Sequence, residues 1–151
     1  MLRNALVLSG LALFTCAPSL AAVRYEQGKA WDVRKTRVLY TESHWTRFAG
    51  SVPVDRTVLY RCADGTPFAR KEIRYSPSVV APAFSFRDVR HDYQEGLLWQ
   101  DGKASLWHSK DGIRKSKPLP AAPNLVADAG FDEFIRSRWS ALSGKERQSL
   151  N

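Results

Sequence analysis

Cysteine is nearly missing from this chain of 151 residues: there are two, Cys16 and Cys62, beside a single methionine. Two thiols allow one internal disulfide at most, and none if Cys16 leaves with a leader. A disulfide-stapled scaffold is therefore excluded, and stability has to come from an apolar core. Long hydrophobic runs are missing too. The longest uncharged, largely apolar stretch runs from Ala5 to Ala17 and is ended by Pro18, short of the about 20 residues a spanning helix needs. Nowhere do five like charges stand together. Catalytic signatures are equally scarce: there is no Gly-x-Ser-x-Gly, no Gly-rich phosphate loop, no His-Glu-x-x-His and no Cys-x-x-Cys.

What is present begins with an address. Met-Leu-Arg-Asn, the apolar stretch and the small-residue exit Pro18-Ser19-Leu20-Ala21-Ala22 form the pattern of a secretory signal peptide. Ser19 and Ala21 favour cleavage between Ala21 and Ala22; the next register would set Leu20 three positions back, which suits it less. Lipoprotein processing at Cys16 is the alternative, and Thr15 before it is a poor fit. The expectation is a leader over 1–21 and a single domain over 22–151, exported to an oxidising compartment.

Removing residues 1–21 takes away one basic residue, Arg3, and no acidic one, leaving 22 basic against 15 acidic residues. A basic exported domain points to anionic partners: lipid headgroups, an acidic polymer or an acidic envelope protein. A membrane surface is within that range and a membrane span is not. Nucleic acid is left aside, because no binding motif is present. Cys62 alternates with Tyr60 and Val58, and a buried, inert thiol is expected.

Asp-Gly pairs divide the middle of the chain into hairpins: Asp64-Gly65, Asp101-Gly102 and Asp111-Gly112. The pair suits type I′ turns, where both central residues reach positive φ. A two-residue turn at Asp101-Gly102 sets Gln100 against Lys103, Trp99 against Ala104 and Leu97 against Leu106. Period-2 alternation then gathers Leu97, Trp99, Ala104 and Leu106 on one face, with Leu98 and Trp107 as exceptions on the other. Arg37 to Phe48 reads as a strand, Gly50 to Asp55 as a loop, and Phe84, Phe86 and Asp88 to Tyr93 as a further strand. Pro67 marks an edge, a bulge or a longer loop. The fold class is mainly β (α+β): an antiparallel meander of five to seven strands, with a curved half-barrel as one form of it.

Three prolines between Lys117 and Pro123 break the pattern. One helix follows, over about 128–143. Phe131, Phe134, Ile135, Trp139 and Leu142 fall on one helical face, Asp128 is placed to cap the start and Gly144 to stop the end. This apolar stripe is expected to pack on the sheet; a helix lying on a membrane surface is the alternative. The polar tail from Lys145 raises the expectation of a truncated chain.

Five tryptophans are many for one domain. Trp45, Trp99, Trp107 and Trp139, with Phe134, are the candidate ligand-binding residues, because such side chains line apolar clefts. No catalytic residue, metal ligand or cofactor is assigned. Asp88-Val-Arg-His91-Asp92 is the densest polar group, but on a strand His91 would point away from the two carboxylates.

Two segments, Leu59 to Lys71 (LYRCADGTPFARK) and Asp128 to Arg136 (DAGFDEFIR), resemble uncharacterised exported proteins of Gram-negative bacteria. The resemblance implies a periplasmic location and a chain that continues past the helix. More loosely, a meander with a helix on it looks like the half-barrels of periplasmic lipoprotein carriers. Three readings result: a non-enzymatic carrier for an apolar or amphipathic ligand such as a lipid, an envelope interaction module with a basic face, and an enzyme of unknown reaction.

Overall fold

Asp101 and Gly102 close a two-residue turn with φ of 49° and 73°. The flanking register is the one the turn predicts, with Gln100, Trp99 and Leu97 opposite Lys103, Ala104 and Leu106. Asp111 and Gly112 repeat the geometry and set Lys110 opposite Ile113. Asp64-Gly65 differs: only Gly65 is left-handed, Asp64 accepts from the Thr66 amide at 2.9 Å, and the register slips between Tyr60 and Arg61. Pro67 stands opposite that bulge, where its missing N–H is tolerated.

A computed structural model describes residues 21–144. Residues 1–20 of the expected leader, Cys16 among them, and the tail from Lys145 lie outside them. Eight strands run in chain order: β1 (Ala22–Trp31), β2 (Val38–Ala49), β3 (Val52–Cys62), β4 (Pro67–Arg74), β5 (Ala83–Asp88), β6 (Tyr93–Gln100), β7 (Lys103–Lys110) and β8 (Ile113–Pro118). Each pairs antiparallel with the next in one open sheet, so β1 and β8 are its edges. The protein is mainly β, an antiparallel meander with a short helical end.

Three strand expectations need correction. The count is eight. The strand missed is β1, whose residues are nearly all exposed and carry no apolar alternation; pairing with β2 along its whole length defines it. Val52 to Asp55 belongs to β3, leaving Gly50 and Ser51 as the turn. Asp88 ends β5 and Tyr93 starts β6, and the residues between them, Val89 to Asp92, are the hairpin turn and not a strand: Asp92 is left-handed at φ 42°, and Asp88 accepts from the Arg90 amide at 2.9 Å.

The helix departs further. A 3₁₀ turn (Asp128–Gly130) leads into α1 (Phe131–Ser137), and Arg138, at φ −114°, separates it from α2 (Trp139–Ser143). The expected apolar stripe is not the buried face. Phe131 is 43 % exposed and Trp139 66 %, while Ala129, Gly130 and Glu133 are buried. Phe134 stacks on Phe131 at 6.3 Å.

Two local causes turn the helix this way. First, backbone meets backbone. The Ala127 amide donates to the Val80 carbonyl at 3.0 Å, and a Cβ at Gly130 would lie 2.3 Å from that carbonyl oxygen. Only glycine permits the approach, and it seats Ala129 beside Ile73 and Tyr75 in the core. Second, Arg56 of β3 is 4 % exposed and its charge needs partners. Its guanidinium donates to Thr46 Oγ1 at 2.9 Å, Asp132 at 3.0 Å and Glu133 at 3.2 Å, and Arg136 completes the group on Glu133 at 2.6 Å. Asp128 does not cap; its carboxylate accepts from Lys71 Nζ at 2.6 Å. Charge and small residues dock this helix; of its apolar residues Phe131, Trp139 and Leu142 are exposed, and Phe134 and Ile135 are half-buried.

Candidate ligand-binding site

The register fixes which side chains share the face that carries the helix, here the inner face. One row crosses all eight strands as Glu26, His44, Val58, Lys71, Phe86, Glu95, His108 and Lys115. A second row on the same face reads Arg24, Thr46, Arg56, Ile73, Phe84, Leu97, Leu106 and Lys117. In the first, the charged residues Glu26, Lys71, Glu95 and Lys115 alternate in sign; the second passes from buried Arg56 through four apolar residues to exposed Lys117.

Two hollows open on this face. One, of about 400 Å³, lies beside the 3₁₀ turn, over Tyr40, Tyr60, Val58 and Phe86, with Glu42, Lys71 and Asp128 around it. Its charges are largely paired: Lys71 with Asp128, His44 Nε2 with Glu42 at 2.9 Å, Arg56 with Asp132. Burial raises the Tyr60 hydroxyl well above its usual value, with Glu42, Asp128 and Tyr40 adding to the effect. Burial raises Tyr40 as well, helped by Glu42. Both phenols therefore stay protonated at neutral pH, as hydrogen-bond donors.

The other hollow, of about 320 Å³, lies over β5 to β8, with Phe84, Tyr93 and Leu106 below and His108, Lys115 and Lys117 at the β8 side. Leu106 is 43 % exposed. Glu95 borders both hollows, and its carboxylate accepts from the Tyr93 hydroxyl at 2.7 Å. That bond is the main reason the Tyr93 hydroxyl is raised.

The five candidate residues do not converge. Trp45 and Trp107 share an outer-face row with Gly96 and Ser116. Trp107 fills the gap over Gly96, where a Cβ would meet its Nε1 at 2.6 Å, and Arg114 covers its ring at 4.1 Å. Trp45 packs on Tyr25 at 5.4 Å. Trp99 is on the inner face, but its indole donates to the Ala81 carbonyl at 2.8 Å and pins the 76–82 loop. Trp139, exposed, and Phe134, half-buried and stacked on Phe131, belong to the helical end. The tryptophans do not gather in one cleft, and Trp107 is the one that borders the β5–β8 hollow.

Of the residues that line the open hollow, Trp107 belongs to the candidate set, while Phe84, Leu106, Lys115 and Lys117 lie outside it. Their signal is alternation on β7 and β8 counted from the two Asp-Gly turns. The three histidines stand apart: His44 on β2, His91 in the β5–β6 turn and His108 on β7. Asp88 is held by Arg90 at 2.6 Å, which is the main reason its carboxyl falls below its usual range. Among the described residues no three His, Cys, Asp or Glu side chains form a group fit for a metal ion. Comparison of the chain with protein-family models, curated proteins and solved structures returns no match.

Proposed function

We propose that this protein is an exported, non-enzymatic binding module that holds an amphipathic ligand on the inner face of its sheet, in the periplasm of a Gram-negative cell. The leader pattern of residues 1–21 supports the location. The observation that carries the binding is the uncovered stretch over β5 to β8. The helical end stops at the β3–β5 side, and the hollow over Phe84, Tyr93 and Leu106 has nothing of this chain's described residues seated in it. Apolar surface left in such a hollow gains by burial under a ligand.

The test is titration of the purified domain 22–151 with a fluorescent fatty-acid analogue. Saturable binding is expected, and Leu106→Asp, at a half-exposed position, should remove it without unfolding the protein. A folded protein that leaves the probe in water overturns the reading. A second reading, a basic face on an acidic partner, draws on β8, exposed at all six positions and carrying Arg114, Lys115 and Lys117. It predicts association that vanishes with salt and needs no apolar chain.

A further inference from the structure

We propose that the ligand of the β5–β8 hollow is an acyl amphiphile with an anionic head, phosphate or carboxylate, and that Lys115 and Lys117 hold that head. This rests on the inner-face reading above and adds the chemistry of the ligand's polar end.

The inner face has several cations, and nearly all are engaged. Arg24 lies 3.5 Å from Glu26, Arg56 bridges Asp132 and Glu133, and Lys71 bonds Asp128. Lys115 and Lys117 form no ion pair among the described residues. Alternation along β8 puts both on the inner face and turns Arg114 and Ser116 outward, where Arg114 stacks on Trp107. Uncommitted positive charge on this face is thus concentrated at one edge.

That edge adjoins the apolar part of the same row. Phe84, Leu97 and Leu106 stand on consecutive strands, and Lys117 is the next residue across. Leu97 is itself buried, so the apolar surface open to a ligand comes from Phe84, Tyr93 and Leu106, and with strands about 4.8 Å apart Leu106 stands about 5 Å from Lys117 in the row. Lys115 stands one position along, opposite His108. The negative group nearby is Glu95, on the far side of the hollow and tied to Tyr93. Glu95 repels an anion placed there and favours a head at the β8 edge. The polarity fits a chain with one anionic end and disfavours a cationic head.

Lysines on an edge strand also guard a sheet against pairing with another sheet. The two roles separate by experiment: a guard alters association between copies, a headgroup site alters ligand affinity. Calorimetric titration of domain 22–151 below micelle formation would use four probes: dodecyl phosphate, dodecyl maltoside, dodecyltrimethylammonium and inorganic phosphate. Dodecyl phosphate should bind most tightly. Lys115→Gln with Lys117→Gln should weaken it about tenfold, the scale of two exposed charge contacts, and change dodecyl maltoside by less than about twofold. Both positions are exposed, so the fold survives the change. Equal affinity for the phosphate and maltoside heads, or an unchanged affinity in the double variant, overturns this inference and leaves the inner-face reading standing. Inorganic phosphate binding as tightly as dodecyl phosphate overturns the acyl part. Failure of all the dodecyl probes overturns both.

Discussion

Arg56 and Lys117 belong to one row of the same sheet face, yet their surroundings are opposite. Arg56, five strands from the β8 edge inside the helix-covered corner, is buried and has a partner on every side: Thr46, Asp132, Glu133 and the Tyr75 ring at 5.6 Å. Lys117 stands at the edge, exposed, beside a half-exposed leucine. At the corner, burying a charge forces the fold to supply counter-charges, so the helical end is placed by them. At the edge, charge and apolar surface are left for something outside the described chain. The corner is structural and the β5–β8 side is where binding is proposed; variants can separate the two.

The largest effect should come from Arg56→Ala. It removes the buried cation that joins Thr46, Asp132 and Glu133, leaves buried Glu133 with Arg136 alone, and should cost about 3–5 kcal/mol in urea unfolding. A loss under about 1 kcal/mol would mean that the helical end is not held by this group. Gly130→Val comes next. Its Cβ would press on the Val80 carbonyl, and a loss of about 1–3 kcal/mol is expected, with Ala129 shifted out of the Ile73–Tyr75 cluster. An unchanged stability would show that the turn has room to move away.

Tyr75 gives a smaller effect with a pH signature. Its hydroxyl is buried and has no partner among the described residues, and burial pushes its pKa up to about 12. The folded value lies above the unfolded one, so the neutral phenol's contribution is full below about pH 10 and is lost as pH rises toward 12. Tyr75→Phe should leave stability at pH 7 within about 1 kcal/mol of the parent and flatten the loss on going to about pH 11. An equal alkaline loss in both proteins would contradict the assignment. Trp139→Ala should be smallest, under about 1 kcal/mol, because the ring is two-thirds exposed. A loss of about 3–5 kcal/mol would restore the apolar stripe as core.

How much of this was legible before the fold was seen differs by region. The β6–β7 and β7–β8 hairpins were readable residue by residue, since Asp-Gly constrains both φ values and alternation does the rest. The same register already separates Trp99 from Trp107, so their joint candidacy as one cleft conflicts with it. Alternation on β8 likewise assigns Lys115 and Lys117 to the Leu106 face. The corner was not readable. Helical periodicity reports which residues are apolar, and here the deciding contact joins Arg56 to Glu133, 77 positions apart. β1 was missed for a related reason: an exposed edge strand has backbone pairing and little side-chain pattern.

The central claim is that ligand binds at the open side and not at the helix-covered corner. Two-dimensional amide NMR of domain 22–151, titrated with dodecyl phosphate below its micelle concentration, tests this most directly. The account predicts shifts confined to β6–β8 and neighbouring β5, including Leu106, Lys115 and Lys117, with Arg56, Glu133 and Trp139 unmoved. Shifts centred on the α1–α2 segment, or none in a folded protein, would contradict it.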